Sequence, residues 1–236
     1  MDAIILAAGL GTRLRPHTLQ TPKPLLPVQG RPILDWTLGA LPKEVDRVLV
    51  VTHYLSEQIE EYLRRQTHFA QWQTVRQENP RGTGDAVRAC REQVRSERFL
   101  VLNGDDLFGA DDLAKLASCP AGVLCHPVDQ PRQFGIAFRK PDGTLERLAE
   151  KPDLDGRQLA NTGAYVFPRG VFDIPLTLSP RNEYEVTQYV DELAKTQTVQ
   201  VVEATFWLPI GTVEVWQAAQ TMDLRAVLSR KQQGAR

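Results

Sequence analysis

The sequence predicts an α/β fold in which a mostly parallel sheet is flanked by helices, and three observations carry that expectation. Apolar runs alternate with helix-patterned segments from residue 2 to about residue 117, the order that builds strand–helix–strand units. Two of the runs, Asp46–Thr52 and Phe99–Leu102, are apolar almost throughout instead of alternating, as strands buried on both faces of a parallel sheet are. The first run, Ala3–Ala8, leads directly into a glycine-containing segment, Gly9-Leu10-Gly11, the place where such sheets meet their ligands.

Taken in order, the opening strand is followed by that loop and then by a stretch with Pro16, Pro22, Pro24 and Pro27. Proline at this density forbids regular helix but permits a stiff, ordered segment. Residues 32–41 read as a helix with Pro32 in its first turn, residues 46–52 as a buried strand, and 56–65 as a helix with Ser56 as its cap. A short strand over 73–77, a helix over 85–94, a strand over 99–102 and a helix over 110–117 continue the alternation. After about residue 120 short strands with turn signals take over, at 121–126, 134–139, 144–148 and 162–167, separated by Pro-Asp-Gly at 141–143 and Asp-Gly at 155–156. Helices are expected over 183–194 and 213–229, and a polar, frayed tail over 230–236. The expected organisation is one domain over 1–229, with halves at about 1–120 and 121–229 sharing one sheet.

Composition removes several function classes. With 28 Lys and Arg against 29 Asp and Glu the net charge is −1, which argues against a dedicated nucleic-acid binder. No apolar run approaches the roughly 20 residues that span a bilayer, and the apolar start lacks the basic flank of a signal peptide. The cysteines, Cys90, Cys119 and Cys125, are odd in number and form no CxxC pair, so reduced thiols in a cytoplasmic protein are expected. The four histidines have no ligand spacing.

The loop at 9–15 is the strongest local feature. Gly9 and Gly11 let a backbone approach a ligand closely, Thr12 and the loop amides can cradle phosphate, and Arg13 and Arg15 add charge. It is not a Walker loop, which needs Gly-x-x-x-x-Gly-Lys-Ser/Thr, nor a dinucleotide fingerprint, since Leu14 stands where the third glycine belongs. The run Leu6-Ala7-Ala8-Gly9-Leu10-Gly11-Thr12-Arg13-Leu14-Arg15-Pro16, followed by Pro22-Lys23-Pro24-Leu25-Leu26-Pro27-Val28, resembles the signature of the sugar-phosphate nucleotidyltransferases, which make NDP-sugars from an NTP and a sugar 1-phosphate. The resemblance continues to about residue 220. In length the chain is similar to the short members, the N-acetylmuramate-1-phosphate uridylyltransferases, and it resembles the glucose-1-phosphate thymidylyltransferase group.

The resemblance implies a Rossmann-like mixed sheet, a nucleotide half over about 1–120 and a smaller, β-rich sugar-phosphate half over about 121–229. It implies that Leu6, Ala8, Gly9, Gly11, Thr12, Gln77, Gly82 and Thr83 bind the nucleotide, Gln77 pairing with the base edge beside the Gly82 backbone. An amide offers a donor and an acceptor together, which suits a pyrimidine edge. Arg13 and Lys23 would hold the triphosphate, Lys151 the sugar phosphate, and Gly135, Glu150 and Asn161 the sugar. Asp105, at the end of a buried strand, is the implied Mg²⁺ ligand; Asp106 is a second ligand or a helix cap. Glu183–Glu185 read as a cap or as sugar-facing. One position departs from the family: in Trp207-Leu208-Pro209-Ile210-Gly211-Thr212, Pro209 stands where an aspartate ligand is expected, and proline has no side-chain donor. The implied reaction transfers a nucleotidyl group from an NTP, UTP or dTTP favoured, to a sugar 1-phosphate. Rival expectations are a cytidylyltransferase for phosphocholine, against which Phe134-Gly135 and Glu150-Lys151-Pro152 stand, and a nucleotide-binding regulator with little turnover.

Overall fold

The computed structural model describes residues 1–227; the expected frayed tail lies outside the described residues. Four parallel strands form one half of a nine-stranded sheet: β1 (Asp2–Leu6), β4 (Arg47–Thr52), β5 (Gln71–Arg76) and β6 (Arg98–Asn103), in the order β5-β4-β1-β6. A two-stranded ribbon, β2 (Pro27–Val28) and β3 (Arg31–Pro32), lies between β1 and β4 in sequence. Connecting the parallel strands are α1 (Ile33–Ala40), α2 (Ser56–Arg65) and α3 (Thr83–Arg88).

The continuous apolar runs are explained by burial on both sides. Ala3 and Ile5 of β1, Val48 and Val50 of β4, and Leu100 and Leu102 of β6 join one core with Ile33, Leu34, Trp36 and Leu38 of α1. Their neighbours Ile4, Leu49, Val51, Phe99 and Val101 point the other way, into a second core with Val87 of α3. Strand alternation therefore needs apolar residues at every position.

After β6 come β7 (Asp106–Phe108), α4 (Ala110–Ser118) and the second half of the sheet: β8 (Gly122–Val128), β9 (Gly135–Arg139), β10 (Leu145–Glu150) and β11 (Gln158–Pro168). Then follow α5 (Val186–Thr196), β12 (Gln200–Glu203), β13 (Trp207–Pro209) and α6 (Val213–Ala219). The 11-residue β11 is the joint between the halves. It runs antiparallel to β6 through Ala164–Pro168 and antiparallel to β8, while β9 and β10 continue the sheet outward. A separate small pair, β7 with β13, sets Pro209 opposite Asp106.

Several expectations are corrected in detail. Ser56 is the first residue of α2 and not its cap; Leu55 precedes it at φ 51° with no capping side chain. The helix expected over 85–94 starts at Thr83 and leaves α-geometry after Arg88, continuing as turns. The helix expected over 213–229 ends at Ala219, with a one-turn 3-10 segment at Arg225–Val227 beyond it. The three cysteines are free thiols, and among the described residues no helix is long and apolar enough to cross a membrane.

Candidate active site

A cleft of about 400 Å³ opens where the parallel strands end. Leu6 closes β1, and the chain then turns through Ala8, Gly9, Gly11, Thr12 and Arg13, all of which line the cleft. Gly11 sits at φ 61°, and a Cβ there would lie 2.9 Å from the Thr18 methyl and 3.1 Å from the Lys23 Cβ. The Thr18 hydroxyl donates to the Gly11 carbonyl at 2.7 Å. Only glycine combines this conformation with this close packing. The loop is thus pinned to the proline-rich segment that carries Lys23.

Lys23 is buried, its side chain 7% exposed, and its Nζ donates to Asp105 Oδ2 at 2.5 Å. Asp105 follows β6, at the carboxyl edge of the sheet, and its side chain is 36% exposed. Arg13 makes no ion pair among the described residues; its guanidinium lies over Gly211, 3.5 Å from where a Cβ would stand. One cation is therefore held by a carboxylate and the other is open to a ligand.

Gln77, Gly82 and Thr83 form the other end of the cleft. The Gln77 side chain is buried and its Nε2 donates to the Gly82 carbonyl at 3.2 Å and to Asp85 Oδ2 at 2.9 Å. Among the described residues neither its Oε1 nor the Gly82 N–H has a partner. Gly82, at φ 105°, is overlaid by another loop: a Cβ would meet the Tyr184 carbonyl oxygen at 2.5 Å. Tyr184 N donates to Arg81 O at 2.7 Å and Gly84 N to Tyr184 O at 2.8 Å. The Thr83 hydroxyl accepts from Val186 N at 3.0 Å, at the start of α5. This overlay brings Glu183 into the cleft, three residues before α5 begins, so it does not cap that helix. Asn103, the last residue of β6, also lines the cleft; the sequence motif contained it without marking it.

The residues expected to hold a sugar gather beside this cleft and do not line it. Glu150 Oε2 and the Asn161 Cβ lie 3.2 and 3.9 Å from a Cβ built on Gly135. Asn161 donates through Nδ2 to the Tyr165 hydroxyl at 2.8 Å and accepts from Gly163 N at 3.1 Å. Arg181 reaches Glu150 at 3.7 Å and Glu185 at 2.5 Å, tying the same overlying loop to this cluster. Lys151, at φ 42°, is exposed, with its amide donating to Phe134 O at 3.0 Å.

Asp106 departs from both readings made for it. It lies in β7, is buried, accepts from Trp207 Nε1 at 3.3 Å and does not line the cleft. Asp105 lies in the turn after β6 and Asp106 opens β7, so one carboxylate stands at the cleft and the other is buried against Trp207, and β7 and Gly109 separate Asp106 from α4. Burial, and next the Asp105 charge, push its carboxyl well above the usual carboxylate range. Among the described residues no three metal-binding side chains converge. Asp105, its side chain 36% exposed at the cleft and paired there with Lys23, is the residue that would hold a divalent ion, whose remaining shell would come from substrate phosphates and water.

Comparison with known proteins shows the family. The Nucleotidyl transferase family matches residues 2–225. The bifunctional protein GlmU of Methanocaldococcus jannaschii is 33% identical over 89% of the chain and 51% of its own length. The mannose-1-phosphate guanylyltransferase of Mycobacterium tuberculosis is 31% identical over 91% of the chain and 62% of its own. The chain thus spans about half to three fifths of these curated relatives. Among solved structures, a putative glucose-1-phosphate thymidylyltransferase from Bacillus anthracis superposes with a TM-score of 0.79 at 25% identity, covering 96% of this chain and 98% of that one. A UDP-glucose pyrophosphorylase complexed with UDP-glucose has the same fold, with a TM-score of 0.79 at 20% identity over 93% and 96%. With its glycine loop, Lys-Pro segment and strand-end aspartate gathered at one sheet edge, the chain belongs to the nucleotidyl transferase family.

Proposed function

We propose that the protein transfers a nucleotidyl group from UTP or dTTP to a sugar 1-phosphate, giving an NDP-sugar and pyrophosphate. The observation that carries this reading is the polarity of the cleft. At one end Gln77 and Gly82 leave an acceptor and a donor unpaired; at the other Arg13 and Lys23 supply positive charge. A uracil or thymine edge offers N–H and C=O side by side, the complement of that pair, and a triphosphate matches the cationic end. Among the relatives, the name of the putative thymidylyltransferase fits the same nucleotide class, while that of the mannose-1-phosphate guanylyltransferase names a purine, so GTP is the competitor to include in the test.

In the reaction a sugar-phosphate oxygen attacks the α-phosphorus, the bond to the β-phosphate oxygen breaks, and pyrophosphate leaves with the electron pair. The protein positions two anions and offsets their charge. Leu6, Ala8, Gly9, Gly11 and Thr12 shape the nucleotide floor, with Thr83 beside the base. Arg13 and Lys23 stabilise the leaving pyrophosphate, and Lys151 steadies the attacking phosphate. Gly135, Glu150 and Asn161 form the sugar subsite, so that residues 1–120 serve the nucleotide and 121–229 the sugar phosphate. Mg²⁺ held by Asp105 would supply further neutralisation of phosphate charge. The cytidylyltransferase reading fits less well, because a cytosine edge presents an acceptor at N3 where Gln77 already offers one. The test is a matrix of five NTPs, including dTTP, against common sugar 1-phosphates and phosphocholine, with Mg²⁺, following pyrophosphate. Release confined to UTP or dTTP with a sugar 1-phosphate is expected; release only with phosphocholine, or with no acceptor, refutes it.

A further inference from the structure

The amide of Gln77 has two faces, and which one meets the base is decided by residues that never touch the ligand. Both protein partners of its Nε2 are obligatory acceptors: the Gly82 carbonyl at 3.2 Å and the Asp85 carboxylate at 2.9 Å. A carboxylate has no proton to give, and a charge-assisted bond is the stronger of the two. Asp85 is itself fixed: its Oδ1 accepts from Arg88 at 2.6 Å one helical turn on, and the Arg88 guanidinium lies 4.9 Å from the Tyr184 ring centroid. Gln77 lines the nucleotide cleft, whereas Asp85 and Arg88 line a separate groove behind it. Gln77 is therefore the partition between the two, with its NH₂ held from behind and its carbonyl oxygen left for the cleft.

We infer that Asp85 is the positioning residue that makes this protein discriminate between bases, by locking the Gln77 amide so that only a base with an N–H at the facing position is accepted. Uracil and thymine present N3–H there; cytosine presents the N3 lone pair and meets the Gln77 oxygen in repulsion. Without the Asp85 carboxylate the amide can turn over and offer its NH₂ to cytosine, at the expense of the longer bond to Gly82. The inference rests on the proposed base-reading role of Gln77.

Equilibrium binding of UTP and of CTP to the full chain, with Mg²⁺ present, tests it through Asp85→Leu, Asp85→Asn and Gln77→Ala. Asp85→Leu should reduce the UTP-over-CTP preference at least tenfold, with CTP binding gained as well as UTP binding lost. Asp85→Asn, whose Oδ1 can still accept from Gln77, should keep most of the preference. Gln77→Ala should lose UTP affinity with no gain for CTP. Equal loss of both nucleotides in Asp85→Leu, with Gln77→Ala still lowering the preference, would overturn the positioning role alone. An unchanged preference in Gln77→Ala would overturn the base-reading assignment and the inference with it. Should Asp85→Leu not fold, Asp85→Ala removes the same acceptor and is read in the same way.

Discussion

Gly163 is the most exacting point of the joint between the two halves, and Gly163→Ala should show it. The glycine lies in β11 where its pairing with β8 shifts register, at φ 80°. A Cβ there would stand 2.1 Å from Asn103 Nδ2 and 2.6 Å from Asn103 Cγ. Two costs follow. An L-residue at this φ loses about 1–2 kcal/mol, and displacing the Asn103 side chain within a packed interface adds about 1–3 kcal/mol. The expected destabilisation is about 2–5 kcal/mol, or roughly 4–20 °C in Tm for a chain of this size. Two glycines serve as internal standards. Gly156 has φ 76° with open space around it, and Gly170 has open space and no positive φ. Gly156→Ala should therefore show the backbone cost alone and Gly170→Ala little change. Thermal unfolding followed by circular dichroism measures all three, and kcat/KM for Gly163→Ala should fall because Asn103 lines the cleft beside Asp105. If Gly163→Ala is no more costly than Gly156→Ala, the close approach of Asn103 is not a constraint.

Arg13→Ala and Lys23→Ala should each lower kcat/KM by about 10²-fold, as expected when one charge facing reacting phosphates is removed; near wild-type kinetics in both would remove them from the phosphate site. Gln77→Ala should erode nucleotide discrimination by about 1–3 kcal/mol in competition between UTP and ATP, and an unchanged ratio would count against base reading. Burial tends to raise the Asp35 carboxyl, but hydrogen bonds from His68, Tyr62 and Arg31 outweigh it and hold the group well below the usual carboxylate range. The ionised form is thus favoured by folding, and the stability it contributes is present above about pH 4 and lost as pH falls further. Asp35→Asn should be destabilising at pH 7 by chemical denaturation, with the gap closing as the pH drops below 4; a gap constant down to pH 2 would contradict the assignment.

The first half of the fold was legible because β1, β4 and β6 are buried on both faces, which leaves near-continuous apolar runs in the sequence at 3–8, 47–52 and 99–102. The glycine loop and Lys23 were legible for a different reason: their roles depend on backbone geometry that only glycine and proline provide. What escaped the sequence was settled by pairing over long distances. The three-residue strands β7 and β13 have no periodicity to detect, and each exists because the other does. Glu183 reaches the cleft because Tyr184 pairs with Arg81 and Gly84, about a hundred residues earlier, and no local pattern marks that. Asp106 misled because two neighbouring carboxylates look like a pair until β7 pairs with β13 and buries one of them against Trp207. The last helix was overextended because the apolar spacing of residues 213–227 persists past Ala219 while the backbone turns at Gln220.

The antiparallel pairing of β6 with β11 also fixes a timetable for synthesis. When β6 leaves the ribosome its partner on one side, β1, is already made, but the strand that covers its other edge ends at residue 168. At roughly 5–20 residues per second that edge stands open for several seconds. It presents Phe99, Leu100, Val101 and Leu102, a run of the kind that recruits foreign strands when left unpaired. The nascent chain is therefore most vulnerable to aggregation after its parallel strands have assembled and before β11 arrives. Slow translation between residues 104 and 157 should lower the soluble yield more than an equal pause later in the chain.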